Sequence, residues 1–142
     1  MKTVVIFGVF DGVHEGHRAF IRGARAHGDQ LVGIVARDSV VEVRKGSKPE
    51  HSEVDRIKML LEVPEIDLVY LGDVEEGTYK MLKEVNPFLV YLGYDQEELK
   101  EDLEKNIKAG KLTKMELVMG TPYKPEELHN SIIKKSSKDA VH

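Results

Sequence analysis

Five short runs of apolar residues recur along the chain, and polar or charged segments separate them. Most runs are apolar at every position and do not alternate with polar residues, which is typical of strands buried on both faces of a parallel sheet. We predict β-strands at Thr3–Phe7, Leu31–Ala36, Leu68–Leu71, Phe88–Leu92 and Met115–Met119.

Most of the segments between these runs carry apolar residues three or four positions apart, the spacing of an amphipathic helix. Ser52 is placed to cap one of these helices, and Pro64 follows its end. We predict helices at 18–28, Ser52–Val63, Thr78–Val85 and Gln96–Ala109, and a loop from 38 to 49. Strands alternating with helices predict an α/β fold, a Rossmann-like, doubly wound, five-stranded parallel sheet with helices on both faces.

Composition limits the class of protein. At 142 residues and 41% hydrophobic, the chain fits one domain, which we place at 1–135 with a flexible tail at 136–142. A net charge of -4 argues against sequence-independent binding of nucleic acid, and the absence of cysteine excludes disulfides and thiolate chemistry. With no signal peptide and no apolar run near the ~18 residues of a membrane span, we expect a cytoplasmic protein without a membrane partner.

The turn between the first strand and the first helix is the strongest candidate for chemistry. In a parallel sheet, ligands bind outside the carboxyl ends of the strands, and this turn, Gly8–His17, lies there. Its glycines at 8, 12 and 16 let the backbone approach a ligand, and a helix N-terminus offers unpaired N–H groups and the positive end of a dipole. Because His14 and His17 stand at that end, the turn is suited to phosphate.

Two familiar nucleotide sites are excluded by the glycine spacing. Glycines at 8, 12 and 16 do not form the dinucleotide pattern G-x-G-x-x-G, and the chain has no G-K-[ST] of a P-loop. Zinc at His14 and His17 is a lesser alternative, because neither a cysteine nor a third ligand lies nearby in the sequence. The second strand leads to a small basic cluster on the same edge: Arg44, Lys45 and Lys48. These residues either bind an anionic ligand at this edge or belong to a loop that is simply exposed to solvent.

The run Gly8-Val-Phe-Asp-Gly-Val-His-Glu-Gly-His17 resembles the G-T-F-D-x-x-H-x-G-H signature of the cytidylyltransferase-like nucleotidyltransferases. The segments 35–39, 45–49 and 92–96, together with Arg56, are similar to the corresponding parts of archaeal FAD synthetases and, more loosely, of glycerol-3-phosphate cytidylyltransferases. The resemblance implies transfer of AMP or CMP from ATP or CTP to a phosphorylated small molecule, with release of pyrophosphate. FMN is the first choice of acceptor, followed by glycerol 3-phosphate and phosphopantetheine.

The same resemblance implies roles for individual residues. The catalytic set is His14, His17, Lys45 and Lys48. The nucleotide would be bound by Val9 and Phe10 through their backbone, and by His14, His17, Asp95 and Ser131. A Mg²⁺ ion, or another divalent cation, would lie near Asp11 and Asp38. The structural alternatives are that Asp11 caps the following turn and that Asp95 caps the helix from Gln96. A homodimer is suggested by family analogy alone.

Three positions depart from the family pattern. Val9 stands where threonine is usual in the family. The change has little effect if this residue contacts the nucleotide only through its main chain. The C-terminal phosphate turn is matched only by Asn130-Ser131 before two isoleucines, while Pro125-Glu-Glu favours a helix start that would enclose Ser131. The C-terminal cysteines of archaeal FAD synthetases are missing. A nucleotide-binding module without turnover therefore stays as the alternative function.

Overall fold

All five predicted strands form one parallel sheet in the computed structural model, which describes residues 1–122. The strand order is β3-β2-β1-β4-β5, and every pair is parallel. The strands are β1 (Thr3–Gly8), β2 (Gln30–Val35), β3 (Leu68–Leu71), β4 (Leu89–Leu92) and β5 (Glu116–Met119). The α/β fold with a doubly wound sheet is therefore confirmed.

Five helices connect these strands, one more than the sequence predicts. They are α1 (Glu15–Arg25), α2 (Asp38–Lys45), α3 (Glu53–Leu61), α4 (Lys80–Val85) and α5 (Glu97–Lys108). The prediction of a loop after Asp38 was wrong, because most of that segment is α2. This helix lacks a side-chain cap, and a contact between helices takes its place: the Asp38 N–H donates to Glu53 Oε1 (2.7 Å), and the Glu53 N–H donates to Asp38 Oδ2 (3.2 Å).

The core lies on both faces of the sheet, as the uninterrupted apolar runs predict. On one face, Ile21 and Ala24 of α1 and Leu60 of α3 pack against β1, β2 and β4. On the other face, Leu82 of α4 and Leu103 of α5 pack against the alternate residues of the same strands. Because strands β1 and β4 are covered on both sides, only their ends are open to a ligand.

The crevice between β1 and β4 positions the functional site. These strands are neighbours in space but are joined by a long connection, and they pair only at Val4 with Leu89 and Val5 with Val90. Beyond Val5 the gap is bridged by Gln96, whose Nε2 donates to the Phe7 carbonyl (3.1 Å) and whose Oε1 accepts from the Gly93 N–H (2.8 Å). Such a reversal of strand order is where open α/β sheets bind ligands.

Within residues 1–122, no helix is both long and apolar enough to cross a membrane. The predicted domain boundary at 135 and the tail at 136–142 lie outside these residues and stay predictions.

Candidate functional site

A cleft of about 1080 Å³ opens at the carboxyl edge of the sheet, next to the crevice. Pockets for a single small ligand usually measure about 300–1,000 Å³, so this cleft lies just above the upper end of that range. It is lined by most of the predicted site residues: Val9, Phe10, Asp11, His14, His17, Lys45 and Asp95.

The β1–α1 turn folds back tightly over the end of β1. A Cβ atom on Gly8 would lie 2.7 Å from the ring of Phe10, so only glycine fits there. Phe10 adopts a left-handed backbone (φ 53°) and is 4% exposed, with its ring edge-on to His17 at a centroid distance of 5.5 Å. The buried phenylalanine thus holds the start of α1 against the sheet.

The two histidines cap α1 reciprocally. His14 Nδ1 accepts from the N–H groups of Gly16 (3.0 Å) and His17 (3.4 Å), and His17 Nδ1 accepts from the His14 N–H (3.4 Å). The N–H groups of Gly16 and His17 are therefore already paired, contrary to the expectation of open N–H groups at this helix N-terminus. Since each Nδ1 is an acceptor, each neutral ring carries its hydrogen on Nε2. The His17 ring donates to the Gly12 carbonyl, whereas the His14 Nε2–H can be donated to a ligand.

The imidazoles stack on each other, with centroids 3.9 Å apart and planes 22° from parallel. Burial, followed by the charge that His14 would carry, lowers the pKa of His17, and the Gly12 carbonyl only partly opposes this. His17 is therefore neutral near pH 7. It meets an anion as a hydrogen-bond donor, assisted by the helix dipole, and not as a full cation.

Asp11 is bound to the segment before α3 and does not cap its own turn. Its carboxylate accepts from the N–H groups of Glu50 (2.7 Å) and His51 (2.9 Å), and Oδ1 lies 2.9 Å from His51 Nδ1. Burial raises the pKa of Asp11, but these hydrogen bonds outweigh it and leave the pKa below its ordinary value. Asp11 is accordingly an anion near neutral pH.

Asp38, the other predicted metal ligand, is held by the fully buried Arg56. The Arg56 guanidinium donates to Asp38 Oδ1 (2.6 Å), to the Val9 carbonyl (2.8 Å) and to the His51 carbonyl (3.1 Å). Asp38 is absent from the cleft lining. With a guanidinium on one oxygen and the Glu53 N–H on the other, Asp38 is a poor cation ligand, whereas Asp11 has two other ligating side chains beside it, Glu50 and His51.

The remaining predicted residues are divided between the cleft and its surroundings. Lys45 ends α2 and lines the cleft, while Lys48 is exposed and is not in the lining. Asp95 lines the cleft but does not cap α5, whose N-cap is Gln96 and which has no side-chain capping hydrogen bond. The Val9 carbonyl is occupied by Arg56, and Ser131 lies outside the described residues.

Sequence reasoning missed Gln96 as a residue of the site. Its partner Phe7 is 89 positions away, so no local pattern links them. It also missed the ion pairs of Arg44 with Glu76 (3.3 Å) and Glu98 (4.0 Å), which join α2, the 73–78 segment and α5 across the cleft lining. Only proximity in the fold reveals these contacts.

Part of the cleft lining, called the apolar lobe below, is formed by Ile34, Val40, Tyr79, Met81 and Leu99. All of these except Val40 also belong to the core on the face covered by α4 and α5. Tyr79 has a left-handed backbone (φ 53°) and donates its hydroxyl to Asp102. Burial and then this hydrogen bond raise the pKa of Tyr79, so the phenol stays protonated and its ring is fixed in the wall.

Comparison with known proteins agrees with this geometry. The model of the family described as cytidylyltransferase-like matches residues 5–138. FAD synthase from Thermococcus sibiricus is 41% identical over 111 residues, covering 75% of both chains, and that from Methanococcoides burtonii is 39% identical over 107 residues, covering 75% of this chain and 73% of the other.

Solved structures show the same architecture. The lipopolysaccharide core biosynthesis protein of Thermoplasma volcanium superposes with a TM-score of 0.79 at 32% identity, covering 87% of this chain and 99% of that one. Pantoate-beta-alanine ligase from Francisella tularensis reaches a TM-score of 0.60 at 12% identity, over 89% of this chain and 61% of its own. The latter likeness concerns the fold alone.

Proposed function

The chain belongs to the cytidylyltransferase-like family of nucleotidyltransferases, and from this premise we propose that it is an FAD synthase, which transfers AMP from ATP to FMN and releases pyrophosphate. The observation that carries the choice of substrates is the identity of about 40% with FAD synthases from several archaea, over about three quarters of the chain. The cleft supports it, because its lining combines the histidine turn with apolar side chains such as Tyr79 and Met81.

In this reaction, a phosphate oxygen of FMN attacks the α-phosphorus of ATP, and the bond from that phosphorus to the bridging oxygen of pyrophosphate breaks. No nucleophile from the enzyme is needed, so catalysis depends on positioning and on stabilising negative charge. His14 suits this task, because its Nε2–H takes no part in the cap. His17 would do the same once its ring leaves the Gly12 carbonyl, which it now contacts. They would donate to the triphosphate as its charge shifts toward the leaving group.

Other residues would hold the two substrates. Lys45 lies at the cleft, where its ammonium would neutralise phosphate charge, and Lys48 would reach the same phosphates from beyond the end of α2. Asp95 would contact the ribose or base, and Phe10 and Val9 would contact the nucleotide through their backbone, with the Val9 N–H as the remaining group. The predicted phosphate contact of Ser131 stays part of the proposal.

The apolar lobe is the proposed site of the flavin ring. FMN combines a large planar ring with a phosphate. Tyr79, Met81 and Leu99 offer apolar surface in the cleft, against which such a ring can pack. Glycerol 3-phosphate would leave this surface unfilled. The lobe therefore favours an acceptor with an aromatic ring.

Enzymes that transfer nucleotides typically use a divalent cation, and Asp11 with Glu50 and His51 would hold one in this chain. Such an ion neutralises charge on the phosphates.

The proposal is tested by measuring pyrophosphate release from purified protein with every combination of ATP or CTP and FMN, glycerol 3-phosphate or phosphopantetheine. We expect release with ATP and FMN, at least tenfold faster than with any other pair. Faster turnover of another pair would show that ATP and FMN are not the preferred substrates, while the assignment as a nucleotidyltransferase would stand. Tight nucleotide binding by calorimetry, with no release from any pair, would favour the binding module without turnover.

A further inference from the structure

Three side chains with metal-binding groups converge beside the β1–α1 turn. Asp11 comes from the turn itself, and Glu50 and His51 come from the segment between α2 and α3. One ligand atom from each residue lies within 4.8 Å of the other two. The contact joins positions 39 and 40 residues apart, so the sequence alone does not reveal it.

We propose that Asp11, Glu50 and His51 bind a divalent transition-metal ion, of which Zn²⁺ is the representative. Mg²⁺ prefers ligand sets made only of oxygen, whereas an imidazole nitrogen beside carboxylates suits zinc and the later first-row metals. The ligand set therefore differs from the predicted one, in which Asp38 accompanied Asp11 at a Mg²⁺ ion.

The spacing of the ligand atoms fits an ion. When each ligand lies about 2.1 Å from the ion, neighbouring ligands stand about 3.4 Å apart around a tetrahedral ion such as Zn²⁺ and about 3 Å apart around an octahedral one. The distance from Asp11 Oδ1 to His51 Nδ1 is 2.9 Å. A metal ion would take the place of the hydrogen that these two atoms now share.

Two of the three ligands are positioned before any ion arrives. Backbone N–H groups of Glu50 and His51 orient the Asp11 carboxylate, and buried Arg56 holds the His51 carbonyl (3.1 Å). The Glu50 carboxylate is exposed and has no hydrogen-bond or ion-pair partner within residues 1–122, so it is available to swing onto an ion. Side-chain exposures of 39% for His51 and 25% for Asp11 leave the ion a path from solvent.

The place of these ligands in the fold gives the ion a use. Asp11 lines the cleft, and three protein ligands leave coordination positions open, as in metal sites that act on substrates. This use rests on the proposed function, since the open positions would receive phosphate oxygens of the nucleotide. Binding of the ion itself rests only on Asp11, Glu50 and His51.

The test is calorimetric titration of the full untagged chain with Zn²⁺ alone and with Mg²⁺ alone, without nucleotide or flavin. We expect one Zn²⁺ per chain, bound at least tenfold more tightly than Mg²⁺. His51→Gln and Glu50→Gln should each weaken Zn²⁺ binding by at least about tenfold. Loss of a residue that only hydrogen-bonds a metal ligand already weakens binding by about that factor, and loss of a ligand itself should cost no less. His27→Gln is the matched control and should bind like the natural sequence, because the ring of His27 bonds the Gly23 carbonyl and packs against Tyr91.

Circular dichroism of each variant establishes that it is folded before its titration is interpreted. Undiminished Zn²⁺ binding by His51→Gln would overturn the proposal, as would equal affinity for Mg²⁺ and Zn²⁺. Loss of binding in a His14→Asn variant but not in His51→Gln would assign the ion to the histidine pair and would equally overturn it. Since no substrate is present, none of these results bears on FAD synthesis, and an absence of FAD synthesis would not bear on them.

Discussion

At the scale of single residues, His14 combines two tasks that different atoms perform. Its Nδ1 caps α1, which leaves the hydrogen of the neutral ring on Nε2, and His14 lines the cleft. Asparagine is among the best N-cap residues but lacks a donor at the position of Nε2. His14→Asn should therefore keep the free energy of unfolding within about 0.5 kcal/mol and lower kcat for FAD formation by about 10²–10³-fold, the usual effect of removing one charge-stabilising donor.

His14→Ala is the matched comparison, because it removes the cap as well. It should show a similar loss of kcat together with a loss of about 1 kcal/mol in stability, measured by urea unfolding. If His14→Asn retained the natural kcat, the donor role of Nε2 would be wrong.

His17 makes stability depend on pH. Its pKa is lowered in the folded protein, so between that value and about 6.5 the unfolded chain binds more protons than the folded one. Stability therefore rises with pH across this interval and falls as the solution is acidified. The stability of the natural chain relative to His17→Gln should be lower at pH 5.5 than at pH 7.5 in urea unfolding, and an equal difference at both values would contradict the lowered pKa.

At the scale of elements, Arg56 ties three segments to one another. Its buried guanidinium binds the Val9 carbonyl in the β1–α1 turn, Asp38 at the start of α2 and the His51 carbonyl before α3. Arg56→Met should cost about 3 kcal/mol, near the lower end for breaking a buried ion pair, because the Asp38 side chain is 38% exposed and keeps contact with water.

Urea unfolding of Arg56→Met checks this value against Arg18→Met, which changes an exposed arginine of α1 and should cost less than about 0.5 kcal/mol. Equal stability of the two variants would show that Arg56 does not hold the segments together.

Asp73 performs a comparable task for the short helix α4, because the side chain of its N-cap residue, Tyr79, makes no capping hydrogen bond. The Asp73 carboxylate accepts from the Thr78 hydroxyl (2.6 Å) and from the N–H groups of Lys80 (2.5 Å) and Met81 (3.0 Å). Asp73→Ala should cost about 1–2 kcal/mol and raise the KM for FMN more than that for ATP, because Tyr79 and Met81 line the apolar lobe.

Steady-state kinetics and thermal unfolding measure both effects. Val74→Ala, an exposed change in the same segment outside the cleft lining, serves as the control. If the KM for FMN and the KM for ATP rose by the same factor, α4 would not form part of the FMN site.

The five strands were predictable because the sheet is buried on both faces, which leaves an uninterrupted apolar run in the sequence for most of its strands. Helix α2 could not be predicted from the sequence, since Val40, Val41 and Val43 are poor helix formers. Its N-terminus is held by a hydrogen bond from the Asp38 N–H to Glu53 of α3, a contact that no local pattern reveals. The histidine turn could be found because its residues are contiguous. The contacts of Asp11 with His51 and of Gln96 with Phe7 could not, because they join distant parts of the chain.

At the scale of the whole molecule, the cleft crosses the edge of the sheet from one face to the other. The histidine cap of α1 lies on the face covered by α1 and α3, and the apolar lobe lies on the face covered by α4 and α5. A phosphate group at the crevice between β1 and β4 can thus be reached from both sides. This is the arrangement that direct transfer between two bound substrates requires.

The most direct test is to incubate the purified chain with ATP, FMN and a divalent cation, and to identify the flavin products by chromatography. We predict FAD and pyrophosphate in equal amounts, and neither a flavin dinucleotide nor pyrophosphate when CTP replaces ATP. A folded protein that binds ATP and leaves FMN unchanged with every cation tried would contradict the assignment as an FAD synthase.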